Sequence, residues 1–216
     1  MINLIDIEKY QIYLSYLDKK LKEFFEEQSP YIFCKEGCSH CCEDGEYPMS
    51  KIEFLYLISG INKLTPDIVI EIEKKIFELK NAKDLHNNNE KFRHECPFLH
   101  KNKCSVYQNR PIICRTHGLA FFSKDEQLLV PNCVSLGLNY SNVYDFDTKK
   151  LSAEKFEKLN IEQEPLAHNV GLSFMTNNEI TKKIGLAFGE IKPLHEWILS
   201  YLEQIKSNMN ENDKSE

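Results

Sequence analysis

The stretch Cys34-Lys35-Glu36-Gly37-Cys38-Ser39-His40-Cys41-Cys42 places four cysteines within nine residues. Thiols three or four residues apart can converge on one point without help from distant segments. Four more cysteines follow, and none comes after them: Cys96, Cys104, Cys114 and Cys133. This concentration of sulfur predicts a core built around a soft metal ion or an iron–sulfur cluster.

Two other interpretations of a cysteine-rich sequence are weaker. A disulfide framework suits small secreted chains, but the N-terminal residues have neither the basic segment nor the unbroken apolar segment of a secretory signal. A chain of 216 residues can build a core without disulfides, and the vicinal Cys41 and Cys42 cannot easily bond to each other. The thiols of the first stretch also stand among charged and polar residues, unlike free cysteines buried in a core.

Composition limits the partners that we expect. Hydrophobic residues make up 42% and charged residues 28% of the chain, as in an ordinary globular protein. The formal net charge of −6 argues against a nucleic-acid binder, which would carry a basic stripe. No apolar run is long enough to span a membrane. We expect a cytoplasmic protein that acts on a protein partner or protein substrate, and on neither nucleic acid nor a membrane.

The pattern predicts a mainly α fold in which a small irregular cysteine-rich metal-binding core packs among helices, with at most a short hairpin. We divide the chain into an N-terminal helix (1–30), a cysteine-cluster core (31–140) and a C-terminal helical extension (141–216) whose tail is frayed from Met209 onwards.

Periodicity and end signals locate the individual elements. Apolar residues at helical spacing predict a helix over 4–27, and Ser50 with Glu53 forms a capping box for a helix that stops at Gly60. The remaining predictions are a helix from Thr65-Pro66, a polar loop over 83–89, a turn or hairpin over 96–104, a helix start at Arg110-Pro111, short strands within 119–130, helix caps at Ser152 and Asn178, and a helix from Pro193.

Thiolates gathered around a metal ion carry excess negative charge, which cations and backbone N–H groups have to offset. Arg110 and Arg115 stand beside Cys114 in the sequence and are candidates to bind such a cofactor. Each arginine could equally be a surface charge or the partner of a carboxylate. Structural zinc sites use paired Cys-x-x-Cys knuckles, and only the step from Cys38 to Cys41 has that spacing here. We therefore favour an iron–sulfur cluster slightly over zinc.

The spacing Cys34-x3-Cys38-x2-Cys41 also occurs in radical S-adenosylmethionine enzymes. Those enzymes need a barrel of alternating parallel strands and helices. The helical pattern of this chain does not predict such a barrel, so we reject radical chemistry on architecture.

Three segments together carry a family resemblance. The stretch 34–42, the run Cys96-Pro97-Phe98-Leu99, and the run Cys104-Ser105-Val106-Tyr107-Gln108-Asn109-Arg110-Pro111-Ile112-Ile113-Cys114-Arg115 resemble the YkgJ-like cysteine-cluster family over about residues 31 to 135. That family is described as a zinc- or iron-chelating domain and looks related to flagellin lysine-N-methylases. The resemblance implies metal chelation by Cys34, Cys38, Cys41, Cys42, Cys96, Cys104 and Cys114, with Cys133 as the eighth ligand.

Three functions are compatible with these observations. The first is a protein that acts through an iron–sulfur cluster or metal, in redox chemistry or in modifying a partner protein. The second is a zinc-stabilised module whose C-terminal helices bind a partner. The third is a lysine methyltransferase that uses S-adenosylmethionine. We rank them in this order, and the sequence does not decide whether the protein is an enzyme.

Overall fold

The computed structural model describes residues 4–35, 37–87, 89–123, 125–161 and 167–212. Most of this chain is helical, which confirms the mainly α prediction. Its α-helices, in chain order, are α1 (Leu4–Glu27), α2 (His40–Glu43), α3 (Lys51–Ser59), α4 (Pro66–Leu85), α5 (Ile112–Thr116), α6 (Ala153–Lys158), α7 (Leu172–Met175), α8 (Glu179–Lys183) and α9 (Leu194–Asn212). No helix of the described residues is long and apolar enough to cross a membrane.

The strands are short and pair two by two in antiparallel fashion. They are β1 (Pro48–Ser50), β2 (Leu99–His100), β3 (Lys103–Cys104), β4 (Phe121–Phe122), β5 (Leu128–Leu129), β6 (Tyr144–Asp145), β7 (Lys150–Leu151) and β8 (Ile191–Pro193). The pairs are β1 with β8, β2 with β3, β4 with β5, and β6 with β7. The β2–β3 hairpin and the β4–β5 pair lie where the sequence predicts them.

Most helix ends follow the sequence signals. Ser50 caps α3, with its side chain accepting the backbone N–H of Glu53 and the Glu53 carboxylate accepting the backbone N–H of Ser50, as the capping box predicts. Ser152 caps α6 and Asn178 caps α8, also as expected. Two boundaries differ from the prediction, because helical propensity continues past the polar residues: α4 extends to Leu85, into the predicted loop, and α9 extends to Asn212. The rest of the predicted frayed tail, 213–216, lies outside the described residues.

Contacts divide the chain into two compact units, each made of two separated stretches. Unit 1 comprises Met1–Cys41 and Ile112–Ala187, and unit 2 comprises Cys42–Pro111 and Phe188–Glu216. These units are defined by packing, whereas the three predicted segments are defined by sequence character, so the segment boundaries remain a prediction.

Unit 1 contains the buried face of α1 and a second, small apolar core that joins residues from both sides of the first cysteine loop. Helix α1 buries most of its apolar stripe, namely Tyr10, Tyr13, Leu14, Leu17 and Leu21, while Phe24 and Phe25 at its end are partly buried. The second core joins Tyr31, Ala120, Val134, Tyr140, Val143 and Phe156. Inside it the hydroxyl of Tyr140 donates to Oε1 of Gln28, and the backbone N–H of Ala120 donates to both side chains. Burial raises the pKa of Tyr140, so this hydroxyl keeps its proton and remains a donor.

Unit 2 packs α3, α4 and α9 around one apolar core. Trp197 of α9 stacks on Phe54 and donates its indole N–H to the backbone oxygen of Met49 at 2.9 Å. The β1–β8 pair closes this core by setting Met49 opposite Lys192. Cys96 and Cys104 are partly buried against the same core, which fixes the hairpin that carries them.

Candidate metal centre

A tight turn brings the first two cysteines together. The backbone N–H of Cys38 donates to the carbonyl of Lys35 at 3.0 Å, and Gly37 takes the left-handed conformation at φ +90° that such a reversal needs. The thiols of Cys34 and Cys38 interact with each other as a result. Cys41 follows one turn later in α2.

Cys133 joins this group from a distant part of unit 1. It is buried within the 3-10 helix Asn132–Leu136, which ends at Gly137 in the left-handed conformation. Its thiol interacts electrostatically with Cys38 and Cys41, and Cys34 interacts with all three. We call Cys34, Cys38, Cys41 and Cys133 the unit 1 thiol cluster. One loop, one short helix and one remote 3-10 helix therefore bring four sulfur atoms within electrostatic range.

Burial and neighbouring sulfur atoms keep the thiols of Cys34 and Cys133 protonated when no cation is present. Cys34 as a whole residue is exposed, yet partial burial of its thiol, followed by the neighbouring sulfurs of Cys38, Cys133 and Cys41, raises its pKa to about 12. Burial also raises the pKa of Cys133, while the backbone N–H groups of Asn139 and of Cys133 itself oppose that rise by donating to the sulfur. A bound cation would supply the missing compensation, because it stabilises thiolates directly.

Asn139 is a residue of this site that the sequence analysis missed. Its side chain is fully buried, and Oδ1 accepts the backbone N–H groups of Phe33 and Cys34 at 2.8 and 2.9 Å. Its Nδ2 donates to the carbonyl of Gly118 at 2.9 Å. Nothing in the sequence marks this asparagine except its place six residues after Cys133, since its partners come from segments far away in the chain.

The two candidate arginines are engaged with protein groups. The guanidinium of Arg115, in α5, donates from one nitrogen to both oxygens of Asp18 at 2.6 and 2.7 Å. Arg110 stacks over the ring of Tyr107, 3.7 Å from its centre, and donates to the carbonyl of the same residue. These contacts match the carboxylate-pair alternative for Arg115, and a cofactor-binding role of either arginine remains a prediction.

The other cysteines divide between the two units. Cys114 lies in α5 of unit 1, partly buried. In unit 2 the backbone N–H of Cys96 donates to the carbonyl of Cys42 at 2.8 Å, and Cys104 stands opposite Leu99 in the hairpin. Cys42, Cys96 and Cys104 are therefore linked through backbone contacts within one unit, while their place in a ligand set remains a prediction.

None of the eight cysteines, all of which lie in the described part of the chain, forms a disulfide, so the disulfide alternative is not borne out, and Cys133 is the one that is buried. Among the described residues, no three histidine, cysteine, aspartate or glutamate side chains are already arranged to hold a metal ion. The donor chemistry nevertheless fits a metal, because the unit 1 thiol cluster offers four soft ligands with backbone N–H groups beside one of them. Binding has to remove protons and draw the sulfur atoms closer together.

A family model described as "CxxCxxCC: Putative zinc- or iron-chelating domain" matches residues 33–134. No curated protein and no solved structure was found to match the chain. The matched segment begins one residue before Cys34 and ends one residue after Cys133, so it contains every cysteine of the sequence. The clustering of thiols in unit 1 agrees with this match: residues 33–134, a little under half of the chain, are similar to the CxxCxxCC zinc- or iron-chelating domains.

Proposed function

We propose that the protein holds a thiolate-bound metal centre in the unit 1 thiol cluster and acts through it, in redox chemistry or in modifying a partner protein. The observation that carries this proposal is the gathering of Cys34, Cys38, Cys41 and Cys133, in which Cys34 and Cys133 each interact electrostatically with the other three thiols. Thiols gathered this closely are unfavourable as neighbouring anions. A cation at their centre turns that repulsion into binding energy.

An iron–sulfur cluster suits this arrangement better than structural zinc. Three of the thiols come from one short stretch and the fourth from a remote segment, a pattern that occurs in cluster-binding proteins. Structural zinc is commonly held by two Cys-x-x-Cys pairs, and Cys133 has no such partner in the sequence. Cys34 is also exposed, and an exposed ligand leaves a route for electron exchange with a partner.

Protein purified without oxygen tests the proposal directly. Elemental analysis together with an absorption spectrum separates iron with sulfide from zinc. We expect the wild-type protein to contain iron and acid-labile sulfide and to be coloured. Stoichiometric zinc in colourless protein would support the alternative of a zinc-stabilised module, and a folded protein with no metal would contradict chelation altogether.

Serine variants test which thiols act as ligands. Cys38→Ser and Cys133→Ser each remove one member of the unit 1 thiol cluster and should reduce the bound metal strongly. Cys42→Ser is the matched control, because Cys42 is adjacent to Cys41 in α2 but belongs to unit 2. If Cys42→Ser lost as much metal as Cys133→Ser, the unit 1 thiol cluster would not be the whole ligand set.

A further inference from the structure

Two arms of unit 1 carry the thiol cluster, and they are about a hundred residues apart in the chain. The first arm contains Cys34, Cys38 and Cys41, and the second contains Cys133. Asn139 contacts both arms. Its Oδ1 accepts two consecutive N–H groups of the first arm, from Phe33 and Cys34, while its own backbone N–H donates to the sulfur of Cys133.

The Asn139 amide is also anchored on a third segment. Nδ2 donates to the carbonyl of Gly118 at 2.9 Å. Gly118 has φ +103°, and a methyl group added there would lie 3.0 Å from Nδ2 of Asn139. The positive φ favours glycine at this position, and a side chain there would crowd the amide that donates to the Gly118 carbonyl. Because the side chain is fully buried, any partner that Asn139 lost could not be replaced by water without cost.

From these contacts we propose that Asn139 is the positioning residue of the unit 1 thiol cluster, holding the Cys34 arm and Cys133 at the separation from which a metal can be bound. The inference rests on the proposed function in one respect only, that the cluster is the metal site. Asn139 lies beyond the family match, which ends at residue 134.

The fold does not depend on Asn139 alone, which makes the inference testable. The backbone N–H of Tyr140 donates to the carbonyl of Tyr31 at 2.8 Å, so the two arms keep a direct link when the amide is removed. Their apolar contacts through Tyr31, Tyr140 and Val134 also remain. Loss of the amide should therefore loosen the thiols rather than unfold unit 1.

The variants are Asn139→Leu, which keeps the size and removes all side-chain hydrogen bonds, and Asn139→Asp. The aspartate retains an acceptor for the N–H groups of Phe33 and Cys34 but cannot donate to Gly118. The matched control is Asn109→Leu. Asn109 is likewise buried and donates to Tyr56 and Ser59, but it belongs to unit 2.

The first measurement is Zn²⁺ affinity, by competition with a chromophoric chelator, with thermal unfolding of the metal-free proteins measured alongside. Removing the group that orients a ligand typically lowers metal affinity about 10- to 100-fold. We expect a loss in this range for Asn139→Leu, a smaller loss for Asn139→Asp and none for Asn109→Leu. The inference would be overturned if Asn139→Leu bound Zn²⁺ with wild-type affinity. It would also be overturned if Asn109→Leu, at equal destabilisation, lost as much affinity as Asn139→Leu.

The second measurement needs no metal. Diamide converts two nearby thiols of the metal-free protein into one disulfide, and the reagent takes up the two protons and two electrons. Mass spectrometry then separates links between Cys133 and the first arm from the Cys34–Cys38 link, which lies within one loop. Asn139→Leu should reduce the yield of disulfides between Cys133 and the first arm. It should leave the yield of the Cys34–Cys38 disulfide unchanged.

This pair of readouts separates the two claims. If the wild-type protein binds no metal but the Cys133 links fall in Asn139→Leu, the proposed function fails and the positioning role stands. If the wild-type protein binds metal and Asn139→Leu leaves both affinity and links unchanged, the positioning role fails alone.

Discussion

At the scale of single residues, unit 1 depends on a few buried polar groups whose partners come from far along the chain. Gln28, Tyr140 and Asn139 are each almost or fully inaccessible to solvent, and each makes hydrogen bonds to distant segments. Such groups destabilise the fold when they are left without partners. They therefore determine how the loops carrying the cysteines are placed.

Tyr140→Phe should lower the free energy of unfolding by about 1–2 kcal/mol, the usual effect of removing one buried hydrogen-bonding group. In the wild-type protein the Tyr140 hydroxyl donates to Gln28 and accepts the backbone N–H of Ala120. Because Ala120 still donates to Gln28 in the variant, the loss should stay at the lower end of that range. Urea unfolding followed by circular dichroism measures it, with Tyr144→Phe, a partly buried tyrosine of the same unit, as the control.

Asp18→Asn should destabilise unit 1 by about 1–3 kcal/mol, because it takes the counter-charge from a guanidinium that is nearly inaccessible to solvent. The same variant tests the role of Arg115. If Arg115 serves Asp18 alone, bound metal per protein should not change. A loss of metal in Asp18→Asn without a loss of stability would show instead that this pair acts on the metal centre.

At the scale of elements, local signals predicted helices well and long-range pairs poorly. The capping box at Ser50, the proline after Thr65 and the polar tip of the hairpin are local, and the structure has the elements they predict. The β1–β8 pair joins Pro48 to Pro193, and a three-residue strand has too little pattern to indicate a partner so distant. The sequence did not indicate Asn139 either, because its partners also come from distant segments. The cysteines were evident because few other chemistries explain so many thiols.

Ser50→Ala should destabilise unit 2 more than an ordinary cap would. Loss of an N-cap typically amounts to about 0.5–2 kcal/mol, and here the hydroxyl also donates to the carboxylate of the fully buried Glu53 at 2.6 Å. We therefore expect a value near the upper end, about 2 kcal/mol. Ser152→Ala removes the cap of α6 without affecting a buried carboxylate, and a larger effect there than at Ser50 would contradict this argument.

At the scale of the whole molecule, the two units contain different kinds of titrating groups. Unit 1 holds the thiol cluster, whereas unit 2 buries histidine rings around Phe92. The ring centres of His94 and His195 are 5.7 Å apart, and Phe92 packs edge-on against His195 at 4.9 Å. The groups that act on His195 electrostatically are His94, Lys83, Glu46 and His86. Among these groups only Glu46 favours a proton on the ring, so the surroundings of His195 favour its neutral form.

Acid should therefore destabilise unit 2. Burial, and then the neighbouring His94 and Lys83, lower the pKa of His195 from 6.5 to about 4. Because the unfolded chain binds this proton more readily than the folded chain, the stabilisation is complete above pH 6.5 and is lost as the pH falls towards 4. A shift of this size corresponds to about 3 kcal/mol, and burial lowers the pKa of His94 in the same direction.

The single tryptophan makes this loss measurable, since Trp197 lies in the core of unit 2. Urea unfolding followed by its fluorescence at several pH values between 7 and 4 should show a falling midpoint for the wild-type protein. His195→Leu should flatten that profile, because the titrating ring is gone. His168→Leu is the control, since His168 pairs with Glu27 in unit 1, and it should leave the profile unchanged. An equally steep loss in His195→Leu would mean that His195 is not the group through which acid acts on this core.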